Sequence, residues 1–252
     1  MRHKGGWVAM TLALVWVLVA AWVPVLGARE GVAASSLAGG AKQAVEPGGV
    51  PNGLTGEEWG RIREMIRGAE YQYTWHTPSA AFVAPNRAHG LVTALDAEGL
   101  RVSPAIGQRV AGWGWQMRLA GWGTAGEMRA VGDEPVVRLE GGRVQLVWDQ
   151  GLTEWYANDA RGIEQGFTIQ WPPEGVGREE GLVLEMAVAT ELSPRLAEDD
   201  RGVVFADGDG RTVLRYADLH VTDATGKVVP SRLEVHLNTP DAARYALCAD
   251  MS

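Results

Sequence analysis

Cys248 is the one cysteine of the chain, so no intrachain disulfide can brace the fold and stability must come from an apolar core. The five histidines, His3, His76, His89, His220 and His236, nowhere fall at the spacing of a metal-binding pair, which argues against a zinc site built from local ligands. No GxSxG elbow occurs, and no glycine-rich phosphate loop follows a strand, so neither a hydrolase nucleophile turn nor a nucleotide cradle is marked. Positive charge is also scarce. Setting aside the first 28 residues, with Arg2 and Lys4, leaves 21 basic against 31 acidic side chains, a net charge near −10. A body that acidic has no basic face for nucleic acid. On these grounds no catalytic residue, metal or cofactor is assigned.

What is present begins with a leader-like segment. Arg2, His3 and Lys4 precede an uncharged run from Trp7 to Leu26, the order of a secretory signal. Residues 1–28 are read as a signal peptide, with cleavage after Ala28 or Ala34. The alternative is an uncleaved single-pass anchor through residues 7–26, since about 20 apolar residues can span a bilayer. Either way the remainder is expected outside the membrane, secreted or at the cell surface. Residues 29–53 are rich in Gly, Ala, Pro and Ser and read as a flexible linker.

Residues 54–252 form the expected domain. Thr55 and Glu58 have capping-box spacing, and Trp59, Ile62, Met65 and Ile66 fall on one face, predicting a lead-in helix over 55–68. Beyond Ala69 the period becomes two. "LVTALDAEGLRVSP" reads as strand, turn, strand. "VVRLEGGRVQLVW" pairs across Gly141-Gly142, a hairpin turn whose two central residues want positive φ. "LVLEMAV" is another strand, and "VLRYADLHVTDATGKVVPSRLEVHL" supplies three more. No second long helical pattern interrupts them, which speaks against a parallel βαβ sheet. The prediction is an all-β, antiparallel β-sandwich, of ordinary or super-sandwich size, with one short N-terminal helix.

Three stretches could carry chemistry. In "FADGDGRT", Asp207 and Asp209 have the spacing of a calcium loop, but Arg211 stands where an oxygen ligand is needed, so a hairpin turn is the better reading. In "GWGWQMRLAGWG", Trp113 and Trp115 could stack on sugars if exposed, together with Trp155 and Trp171, or simply fill a core. "GLTEWYANDARGIEQGFTIQWPPEG" holds two carboxylates, Glu154 and Glu164, the minimum for glycoside hydrolysis. The competing reading makes it a fold-building hairpin, with Trp155, Tyr156 and Phe167 buried and Asn158, Asp159, Arg161 and Glu164 bonded at the bend.

The same stretch carries a resemblance. It resembles the phrase "LTEWYxNDxRGLEQGFTL" found in N-terminal domains of large bacterial surface proteins, ahead of FG-GAP or related β-propeller-type repeats. "LRYADLHVTDATGKVVPSRLE" at 214–234 is similar to "LRYxxLxxxDAxGxxLPxRLE", and "YALCAD" at 245–250 to the closing "YPLxIDP", with Ala246, Cys248 and Ala249 departing from it. The likeness extends over about residues 54–250. It marks Glu154, Trp155, Tyr156, Asn158, Asp159, Arg161, Gly162, Glu164, Gly166 and Phe167 as a fold signature. It implies a non-catalytic structural or interaction domain of an exported protein, with adjacent repeat domains or cell-surface polysaccharide as partners. The alternatives are a carbohydrate-binding module using the tryptophans, or a carbohydrate-active enzyme using Glu154 and Glu164.

Overall fold

The computed structural model describes residues 15–20, 50–105, 112–124, 126–132, 134–148, 151–170, 181–197, 202–237 and 244–251. At 15–20 and 244–251 only the backbone path is considered. The fold is an all-β, antiparallel sandwich, with one α-helix among the described residues.

The first sheet runs, from edge to edge, β13 (Ser193–Leu196), β14 (Val203–Ala206), β15 (Thr212–His220), β1 (Val15–Ala20), β11 (Gly162–Ile169), β10 (Leu152–Asp159), β9 (Arg143–Val147) and β8 (Val136–Glu140). The second runs β16 (Arg232–Leu237), β17 (Arg244–Met251), β12 (Leu182–Thr190), β6 (Trp115–Thr124), β5 (Gly99–Pro104), β4 (Leu91–Asp96), β3 (Ala81–Asn86) and β2 (Thr74–His76), and β7 (Glu127–Ala130) pairs with the far end of β6.

Period-two alternation decides what lies between the sheets. Leu91, Thr93 and Leu95 of β4, Trp115, Met117 and Leu119 of β6, and Val144 and Leu146 of β9 are all buried. The residues between them are more exposed. Trp115 bridges the layers, its ring 5.7 Å from Phe205 of β14 and 6.4 Å from Tyr216 of β15. One buried cluster draws residues from both sheets.

Several local expectations meet their structures. Thr55 and Glu58 form the reciprocal capping box of α1 (Gly56–Ala69). Its apolar stripe is another matter, because Met65 is 67% and Ile66 52% exposed. β4 and β5 close on Asp96 and Gly99. Asp207 accepts the N–H groups of Asp209 and Arg211, anchoring the β14–β15 turn. Of the three strands expected over 213–237, the middle one is only a bridge between Thr222 and Val228. Asp223 is the cause: its Oδ1 accepts from the N–H of Thr225 and of Lys227, tightening the segment into a turn.

The segment expected to be a leader also has a place in the sheet. Val15–Ala20 lies between β11 and β15, antiparallel to both. No helix among the described residues is long and apolar enough to cross a membrane.

At the β8–β9 turn, Gly141 and Gly142 have φ of +58° and +80° with open space around them. Gly142→Val therefore meets backbone strain and no clash. It is expected to lower the unfolding free energy by about 1 kcal/mol or more, read by urea denaturation with an unchanged m-value.

Candidate functional site

Strand alternation aims Leu152, Glu154 and Tyr156 of β10 at the core. A carboxyl group is thus carried into the space between the sheets, where Glu154 has no solvent exposure. An unpaired charge there would be prohibitively costly, so its oxygens need donors. Three converge on it. The Tyr156 hydroxyl donates to Oε1 at 2.5 Å, Gln165 Nε2 donates to the same oxygen at 2.7 Å, and Trp148 Nε1 donates to Oε2 at 3.2 Å. Gln165 in turn accepts the Tyr216 hydroxyl at 2.8 Å. Burial pushes the Glu154 carboxyl above its usual range, against the pull of the three donors. Burial likewise lifts both tyrosines.

The end of the same hairpin forms a second polar group. Asn158 donates to the carbonyls of Tyr71 and Pro85, both at 2.9 Å, and accepts from Asn86 Nδ2 at 2.7 Å. Asn86 also donates to the Asp159 carbonyl at 2.8 Å and accepts the N–H of His89. Asn158 thereby ties the first sheet to β3 of the second. Asp159 accepts the Arg161 N–H at 2.7 Å and holds its guanidinium, closing the turn to Gly162.

The opposite face of the hairpin carries the remaining signature residues. Trp155 lies across Gly166, where a Cβ would come within 2.0 Å of the indole. The Arg143 guanidinium also stacks on that ring, 4.1 Å from its centroid. Glu164 is 3.6 Å from the Arg161 guanidinium, and its Oε1 is buried with no hydrogen-bond partner. Burial raises its pKa, opposed by the charges of Arg143 and Arg161.

Two sequence-derived sites do not assemble. Glu154 faces the core beside Gln165, whereas Glu164, the next residue along β11, faces outward, so the two carboxyls lie on opposite sides of one sheet and share no cleft. The sugar-stacking platform also fails. Trp113, Trp115 and Trp155 are 8%, 1% and 4% exposed, their faces already taken up by protein; Trp171 lies outside the described residues. Phe167 and Tyr156 are fully buried. Among the described residues, no group of three or more His, Cys, Asp or Glu side chains could hold a metal ion.

Sequence reasoning missed Gln165, Tyr216, Trp148 and Asn86. Alternation held the clue for two of them. Gln165 sits between Ile163 and Phe167, and Tyr216 follows Leu214, on the face each strand turns inward. In comparisons with protein-family models, curated proteins and solved structures, no match is found.

Glu154→Gln offers one oxygen to three donors and is expected to cost about 1–3 kcal/mol at acid pH. A carboxyl whose folded pKa is raised favours the folded state most below its unfolded value, near pH 4, and loses that contribution as pH climbs toward the folded value. The wild-type advantage over Glu154→Gln should therefore shrink from pH 4 upward, read by thermal melts across pH 4–8. Asn158→Ala strands two carbonyls and Asn86, and should cost at least about 2 kcal/mol by denaturant titration at any pH in that range.

Proposed function

We propose that this chain is a non-catalytic structural or interaction module of an exported or cell-surface protein. The observation that carries this is where the polar residues of the signature hairpin go. Glu154 is sealed between the sheets with three donors, Asn158 binds backbone of two other segments, and Asp159 and Arg161 hold each other across the turn. Groups so engaged serve the fold: Glu154 has no solvent exposure, and Asp159 and Arg161, though at the surface, are bonded to each other. The resemblance of this hairpin to leader domains preceding FG-GAP or related repeats supports the same reading, with adjacent repeats or surface polysaccharide as the partners. The basic start and apolar run of the N-terminus support export.

Among the described residues, a carbohydrate-binding role retains a location. The outer face of the second sheet bears a groove of about 550 Å³ lined in part by Val92, Ala94, Arg101, Ser103, Gln116 and Glu191. Arg101, Ser103, Gln116 and Glu191 bring polar groups to a mostly apolar lining, a mix that a sugar could contact. Binding there would be a property of an interaction module, not an alternative to it.

The test has two parts. Across a panel of chromogenic glycosides the protein should show no turnover. Turnover abolished by Glu154→Gln or Glu164→Gln in a stably folded variant would overturn the non-catalytic reading. Mass spectrometry of the exported protein should find an N-terminus at Arg29 or Ser35; an intact Met1 on secreted material would reject the leader.

A further inference from the structure

The position of β1 gives the first sheet an unusual construction. Its two neighbours, β11 and β15, are not paired with each other; each pairs with one side of Val15–Ala20. Without that segment both strands would present rows of unpaired N–H and C=O groups in the middle of the sheet, one strand-width apart. The lips of this slot are nevertheless fastened together. The Tyr216 hydroxyl of β15 reaches Gln165 of β11 at 2.8 Å, crossing the interval that β1 occupies. Inward residues on both lips, Ile163 and Phe167 on one side and Leu214 and Tyr216 on the other, are fully buried. One hydrogen bond that does not involve β1 thus spans the slot from lip to lip.

The resident segment fits imperfectly. Its register against β15 slips between Trp16 and Leu18, beside Asp218, whose φ of +65° is rare for a residue with a side chain. Opposite Leu18 stands Glu164, whose buried Oε1 has no hydrogen-bond partner. Leucine has no side-chain donor to offer it.

We propose that the slot between β11 and β15 is a strand-acceptor site. Residues 15–20 fill it in the full chain, and an extended, uncharged segment of a partner protein fills it when that run is withdrawn. The partner segment is apolar at alternate positions facing the core and carries a hydroxyl donor opposite Glu164. Backbone pairing along both edges supplies affinity, and the side chain at the Glu164 position supplies selectivity. Removal of a leader would vacate the slot, a step that rests on the export reading; the slot itself does not.

The experiment uses the full chain with Leu18→Pro, which takes a backbone donor from the middle of the resident strand. Two lysine-flanked peptides serve as probes: VWVLVA, and its counterpart with Thr in place of the Leu. Hydrogen exchange should accelerate by about tenfold or more along 162–169 and 212–220, relative to β8 and β9. Adding peptide should restore protection. The Thr peptide should bind about tenfold more tightly than its parent, as expected of a hydrogen bond to a buried carboxylate, and that preference should vanish when Glu164→Ala is added. Should the proline variant fail to fold, Leu18→Gly loosens the same strand and is read in the same way. Unchanged exchange in β11 and β15 would mean residues 15–20 do not complete the sheet. Lost protection that neither peptide restores would mean the slot serves its own chain alone. Equal affinity for the two peptides would remove Glu164 from recognition. Each of these results overturns the proposal; the N-terminal mass of the exported protein separately decides the leader.

Discussion

A carboxyl group placed by strand alternation on the inner face of a sandwich must find donors on every side or the sandwich cannot close around it. Glu154 imposes that demand, three residues answer it, and Tyr216 holds one of the three in place. Trp148 directly follows β9, Tyr156 comes from the same strand as Glu154, Gln165 from β11 and Tyr216 from β15. Because donor and acceptor must meet within a few tenths of an ångström, this network fixes the register of three strands and the spacing of a fourth more narrowly than apolar contacts would. Hydrophobic packing tolerates small slips; a hydrogen-bonded cluster in a low-dielectric interior does not.

The two faces of the β10–β11 hairpin consequently do different work. The inner face locks the sheet, while the outer face builds a stack of Arg143, Trp155 and Gly166 that needs the absence of a side chain at 166. At the tip, Asn158 turns the lock into a link between sheets by binding the backbone at Tyr71 and Pro85. A dense cluster of charged and aromatic residues can look like a reaction centre in one dimension. In three dimensions its parts are separated by the sheet they belong to.

Local structure was legible from the sequence wherever a local rule decided it. The Thr55–Glu58 capping box, the Gly141-Gly142 turn and the period-two strands all follow from residues a few positions apart. The all-β class follows from them in turn. What was not legible depended on partners far along the chain. Glu154 could be read as half of a catalytic pair because its donors at 148 and 165 lie on other strands or beyond them, although its flanking Leu152 and Tyr156 already pointed it inward. Met65 and Ile66 have the spacing of a packed stripe, but spacing cannot say whether anything covers it. The order of the strands was hidden for the same reason. Nothing within Val15–Ala20 states that β11 and β15 lie on either side of it, and the polar residues that fasten those strands come from positions 165 and 216.

The last strand shows where such non-local order leads. β17 does not sit at an edge; it lies between β12 and β16 and pairs with both along almost its whole length. The second sheet is therefore interrupted until residues 244–251 have been made. A chain that emerges from its amino end can pair β2 to β6 and then β12 in turn, but β16 has no described neighbour in the sheet other than a strand still to come. Closing contacts between distant segments is slow, because the loop entropy must be met before the contacts form. Residues 244–251 then add one strand to β12 with one edge and bring in β16 with the other, so the two outermost positions on that side of the layer are filled together and last.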